Sequence, residues 1–194
     1  MAEDLKKIIL TLHREQDPLK KTLGFLAALT AALKHTGVKP ILVGGRALEF
    51  YTFGGYATRD IDLVVNGREE TKAVLTAMGF LHRPGERHWY HEELDLAVEI
   101  PDEHLAGSPE KITTVEINEW EVFIIGVEDL IIDRLAAAKF WKSPADSQWA
   151  AKLLALHAQE IDLKYLQEAA RREKVADVLK EAIKQSKVYL DSIK

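Results

Sequence analysis

The sequence predicts an α/β (α+β) fold, with a sheet-bearing core over roughly residues 38–126 flanked by helices. Three observations carry that prediction. Before Gly37 the apolar residues recur at helical spacing. Asp60–Val65 (DIDLVV) and Leu94–Ile100 (LDLAVEI) sit in the middle of the chain and alternate with the period of a strand. From Val127 onward the helical spacing returns and holds to the end.

Leu5, Ile8, Ile9 and Leu12 mark the first helix. Asp17-Pro18 opens a second, because an aspartate caps free N–H groups and a proline fits the first turn. Leu23, Leu26, Leu29 and Leu33 are its apolar side, and Gly37 is its stop. Lys39–Val43 (KPILV) reads as a short buried strand running into Gly44-Gly45. Arg46–Phe53 reads as a short helix closed by Gly54-Gly55. In DIDLVV, Asp60, Asp62 and Val64 share one face, while Ile61, Leu63 and Val65 share the other. A helix over Arg68–Met78 ends at Gly79.

Phe80–Ile125 is β-rich. In LDLAVEI, Leu94, Leu96, Val98 and Ile100 point one way and Asp95, Ala97 and Glu99 the other. Thr113–Ile117 and Glu121–Ile125 form a hairpin around Asn118-Glu119. The remaining helices break near Ser143-Pro144, Glu160 and Glu173. The chain thus divides into an α/β core with N-terminal helices (1–126) and a C-terminal helical region (127–194). That region is either a separate bundle or a layer on the sheet.

Composition narrows the function classes. With 194 residues, of which 47% are hydrophobic, the chain buries a core without staples. The absence of cysteine excludes disulfides and thiolate chemistry, and it fits a reducing cytoplasm. The first residues, MAEDLKKIILTLHREQ, lack the apolar run of a signal peptide, and no stretch approaches the ~18 apolar residues of a membrane span. A net charge of −5 gives no general attraction to phosphate backbones but leaves room for a local basic groove.

Four features converge on one chemistry. A strand runs into Gly44-Gly45 and then a helix; a second strand carries Asp60 and Asp62; a later strand carries Glu99, with Asp95 on the same face; and Thr58-Arg59 precede the acidic pair. Carboxylates at i and i+2 on one strand project side by side, repel each other and invite a cation. Mg²⁺ takes hard oxygen ligands, commonly one or two carboxylates plus substrate phosphates. A third carboxylate on a neighbouring strand lets metal clamp both the attacking and the leaving oxygen. Glycines at a strand-to-helix turn let a phosphate approach free N–H groups at the positive end of the helix dipole.

Val43-Gly44-Gly45-Arg46-Ala47, continuing through Gly54 or Gly55 to Thr58-Arg59-Asp60-Ile61-Asp62-Leu63, resembles the signature of the polymerase-β-like nucleotidyltransferase superfamily. It is closest to the minimal bacterial and archaeal branch that includes the toxins of type IV toxin–antitoxin systems. The resemblance implies a short, mixed, twisted sheet with helices packed on it, Mg²⁺ (or Mn²⁺), a nucleoside triphosphate (NTP) and transfer of its nucleoside monophosphate to an acceptor hydroxyl. That acceptor is an RNA such as tRNA, a protein or a small molecule, and an antitoxin is a further implied partner. By carry-over, Gly44 and Gly45 hold the triphosphate and Asp60 and Asp62 bind metal. The third carboxylate, Glu99 by preference over Asp95, completes the site and activates the acceptor. Val127-Glu128-Asp129-Leu130 resembles the start of the family's post-sheet helix, on which Arg134 or Lys139 is the basic residue expected to face the nucleotide.

Many active members carry serine after the first glycine, where this chain has Gly45 and then bulky Arg46. Arg46 either contacts phosphate or pairs with Glu49. Thr58 supports the loop before the strand and is a candidate nucleotide contact. A weakened site of the same fold, acting as a nucleotide- or partner-binding module, is the rival reading.

Other residues read as structural. His82, His88 and His91 lack zinc-ligand spacing, and His88 and His91 face opposite ways on a strand. Trp89 and Tyr90 offer a ring for stacking, but one of their faces is core. Trp141 and Trp149 are expected to pack, and Arg171-Arg172-Glu173-Lys174 to form a solvated turn.

Overall fold

A computed structural model describes residues 2–117 and 119–193, without the side chains of 2–7 and 191–193. Helices α1 (Ala2–Arg14) and α2 (Pro18–Leu33) lead into strand β1 (Ile41–Val43), helix α3 (Gly44–Tyr51), strand β2 (Asp60–Val64) and helix α4 (Arg68–Ala77). Strands β3 (Leu81–His82), β4 (His88–His91), β5 (Leu96–Asp102), β6 (Thr113–Ile117) and β7 (Trp120–Ile124) follow. Helices α5 (Val127–Phe140), α6 (Pro144–Leu156), α7 (Leu163–Arg172) and α8 (Ala176–Ile193) complete the chain. Two compact units result, Met1–Ile125 and Gly126–Lys194.

In the first unit all seven strands form one mixed sheet in the order β3-β4-β5-β2-β1-β7-β6. β1 runs antiparallel to β2 and parallel to β7, and β2 runs parallel to β5. The face of β2 and β5 that carries Ile61, Leu63, Leu96, Val98 and Ile100 is buried. Phe25, Leu29 and Leu33 of α2 and Leu75 of α4 are buried in the same unit, and α2 packs on both α4 and β7. Phe80 joins this core, its ring 5.1 Å from that of Phe25. Asp17 caps α2 as expected, its side chain accepting from the Lys20 N–H at 2.9 Å. Gly37 takes the left-handed conformation beyond the helix, at φ +75°.

The second unit is helical throughout. α6 packs against α5 and α8, and Leu130, Leu135, Ala150, Ala151, Leu153 and Ala182 are buried. Small alanines on α6 let its backbone approach its neighbours closely. The helix breaks fall at Ser143, which caps α6, and at Asp162, which caps α7. Trp141 departs from expectation: it stands at the C-terminus of α5 and is 82% exposed. Trp149 lies beneath Lys152 Nζ, which is 4.0 Å from the ring centroid. Among the described residues no helix is long and apolar enough to cross a membrane.

The β-rich middle also differs in detail from the sequence pattern. β5 begins at Leu96, two residues later than the alternation suggests, because His91–Leu96 closes a β4–β5 turn with Asp95 at φ +51°. The hairpin between β6 and β7 is present; Glu119 takes φ +69°, and Asn118 lies outside the described residues.

Candidate active site

The site is built where β1 ends. Gly44 sits at φ +62°, and a Cβ there would stand 2.2 Å from Asp62 Oδ2. Only glycine leaves room for that carboxylate and also accepts the left-handed backbone. A Cβ on Gly45 would stand 2.9 Å from the Thr58 methyl, so Thr58 closes over the second glycine. The Gly45 N–H donates to the Asp62 carboxylate. α3 starts at Gly44 with no side-chain cap, which leaves first-turn N–H groups for an anion.

Register places the acids. Val43 pairs with Asp62, Asp62 with Glu99, and Glu99 with His88. Directly paired residues project from the same sheet face. Asp62, Glu99 and His88 therefore stand side by side across three neighbouring strands, in a row that begins beside the glycine turn. Asp60 pairs with Ala97, one step along the same face, and is exposed. Burial above all, and then the Glu99 carboxylate, push the Asp62 carboxyl above its ordinary range. The Gly45 N–H and His88 pull it partly back, while Asp60 adds to the rise.

Glu99 faces His88 and Arg87 on its other side. His88 Nε2 is 3.3 Å from Glu99 Oε2, and Arg87 Nη1 is 3.8 Å from Oε1. Sequence reasoning named His88 only to dismiss a zinc cluster. The one available signal was the alternation in His88-Trp89-Tyr90-His91, which sets His88 and Tyr90 on one face.

Asp95 is not a strand residue in line with Glu99. It lies in the turn before β5, where the Tyr90 hydroxyl donates to its Oδ1 at 2.9 Å. The two-residue spacing held a common face only if the strand reached back to Leu94, and the left-handed turn at Asp95 prevents that. Arg46 turns inward. It is 5% exposed, its Nη1 is 2.6 Å from Glu49 Oε2, and its Nη2 donates to the Arg59 carbonyl. It thus ties α3 to the residue that precedes Asp60.

Arg134 and Lys139 belong to the helical unit and are engaged there. Arg134 pairs with Asp133 and Asp146, and Lys139 with Asp177 and the Lys174 carbonyl. The two other histidines of this region make ring contacts. His82 stacks on Trp89, and buried His91 meets Phe80 edge-on.

The donor set suits a hard cation. Asp62 and Glu99 stand adjacent, and carboxylate oxygens are donors of the type Mg²⁺ accepts. Among the described residues no three His, Asp or Glu side chains converge closely enough to cage a metal by themselves. A cation here would accordingly complete its shell with substrate phosphates and water.

The mixed sheet flanked by helices is a fold that this chain shares with solved structures of nucleotidyltransferase-like proteins. One is a crystal structure of an antigenic nucleotidyltransferase-like protein from Paracoccidioides brasiliensis, matched over 88% of this chain and 94% of that one at TM-score 0.54 and 16% identity. Another is ANT(2'')-Ia in complex with adenylyl-2''-tobramycin, matched over 79% of this chain and 97% of that one at TM-score 0.55 and 15% identity. No family model matches the sequence, and no curated protein matches it.

Proposed function

We propose that the protein is a metal-dependent nucleotidyltransferase that moves a nucleoside monophosphate from an NTP to an acceptor hydroxyl. The observation that supports it best is the seat of Asp62: its carboxylate occupies the space a side chain on Gly44 would need, beside Glu99 and the uncapped start of α3. That arrangement puts an anion-binding turn and an acidic pair within one step of each other. Phosphoryl transfer needs little more than positioning and neutralisation of charge.

In this reading the triphosphate lies against first-turn N–H groups of α3 beyond Gly45, whose own N–H is taken by Asp62. Mg²⁺, held by Asp60 and Asp62 with Glu99 beside them, would supply neutralisation of the phosphate charge. Glu99 accepts the proton of the acceptor hydroxyl as its oxygen bonds to the α-phosphorus. The bond to the bridging oxygen breaks, and pyrophosphate leaves with the electron pair. Arg46 shapes the loop into β2 rather than touching phosphate, consistent with its inward ion pair.

The test is label transfer. The protein is incubated with Mg²⁺, each α-labelled NTP and three acceptor sources: cell extract, purified tRNA and an aminoglycoside. The last is included because ANT(2'')-Ia was solved with an adenylylated one. Transfer that disappears in Asp60→Asn and Asp62→Asn supports the enzyme. Growth arrest on induced expression, relieved by the same substitutions, would extend the reading to a toxin.

A second reading, a nucleotide-binding module, is favoured by the engagement of Glu99 with Arg87 and His88. It predicts an NTP-induced thermal shift without transfer to any acceptor.

A further inference from the structure

Val43, Asp62, Glu99 and His88 form one register row across β1, β2, β5 and β4. At one end of the row is the glycine turn, which takes the triphosphate in the reading above. β2 and β5 carry the acids. In that reading the β4 side of Glu99, away from the glycine turn, is left for the acceptor.

We infer that His88 is the positioning residue for Glu99 on this acceptor side. The inference rests on the nucleotidyltransferase reading and deepens it. Two neighbouring carboxylates repel, and burial at Asp62 sharpens the effect. Left alone, the Glu99 side chain would swing toward solvent, away from Asp62. His88 Nε2, 3.3 Å from Glu99 Oε2, holds it in the row. Arg87 also reaches Glu99, but from 3.8 Å on a side chain that is 82% exposed, so it is a looser and better hydrated partner. His88 is part of β4, so its backbone is held beside Glu99 by the β4–β5 ladder. Groups that orient a catalytic carboxylate in this way commonly contribute 10- to 100-fold to activity.

His88 is half-buried near the sheet's edge, and its removal leaves the buried face of the sheet intact. His88→Ala should therefore fold, with a melting temperature close to wild type. With Mg²⁺ and α-labelled NTP, His88→Ala is expected to lower the turnover number by about 10- to 100-fold. The KM for NTP should stay within about twofold, because the triphosphate end of the row is untouched. His88→Gln, whose amide N–H can still donate to a carboxylate, should recover a large part of the loss. Wild-type turnover in His88→Ala, measured beside an inactive Asp60→Asn, overturns the inference and leaves the nucleotidyltransferase reading standing. Equal losses in His88→Ala and His88→Gln also overturn it, since a polar contact with Glu99 would then not be what matters. Absence of transfer by wild type with every NTP and acceptor defeats the underlying reading, and this inference with it.

Discussion

Burial and Glu99 hold the Asp62 carboxyl above its ordinary range, so the folded state binds that proton more tightly than the unfolded chain does. The resulting stability is complete below the unfolded value of 3.8 and is lost as pH rises through the folded value. At neutral pH the ionised group is a burden to the fold. Asp62→Asn should then melt above wild type at pH 7 in chelator, with a difference that narrows as pH falls toward 4. A variant that melts lower at pH 7 would sink this account. Arg46 makes a contrasting prediction. Replacing it with Met leaves the Glu49 carboxylate buried and unpaired, which costs about 3–5 kcal/mol in urea unfolding. A phosphate ligand would instead lose NTP affinity and keep its stability. Gly44, Asp60 and Asp62 were legible in the sequence because few pressures put glycines before a helix and two acids on an apolar strand. The choice between Glu49 and phosphate for Arg46 was not, since an i,i+3 partner and a ligand leave the same residue pattern.

Elements were legible where local chemistry decides them. Asp17-Pro18 and Ser143-Pro144 mark helix starts in the sequence, and Asp162 opens α7 just past the break expected near Glu160; in all three the side chain accepts a backbone N–H from the first turn. For α7 the bond from the Tyr165 N–H to Asp162 Oδ1 is 3.0 Å. Asp162→Ala should destabilise by about 1 kcal/mol, read as a lower urea midpoint with unchanged slope. Asp162→Asn should retain most of that stability, because the amide oxygen accepts the same bond. The start of β5 was misplaced because alternation cannot see a left-handed turn. Leu94 is buried like the strand residues after it, yet it reaches the core from the turn. Edge strand β3 and its neighbour β4 were given no bounds within the β-rich stretch, since they are short and His88 and Tyr90 carry no apolar signal.

At the scale of the molecule, pairing between distant segments fixed what no local pattern states. β2 lies between β1 and β5, and β1 between β2 and β7, so the acids meet through contacts between residues far apart in the chain. That long-range construction has a thermodynamic consequence. The glycine turn, Asp62 and Glu99 are adjacent only in the folded sheet, and an unfolded chain has no comparable site. A ligand that binds there stabilises the folded state by RT ln(1 + [L]/Kd), about 2.7 kcal/mol at a hundredfold excess over Kd. For a chain of this size that corresponds to a rise of roughly 5–10 °C in melting temperature. NTP with Mg²⁺ should produce such a rise, and NTP in chelator a smaller one, because the acids then face the phosphates unshielded. The transition that moves must be that of the Met1–Ile125 unit, where the sheet lies. Calorimetry of the Asp60→Asn/Asp62→Asn double variant supplies the control. Loss of the metal-dependent part of the shift places the cation at these aspartates, whereas a full shift in the double variant means that nucleotide and metal bind elsewhere.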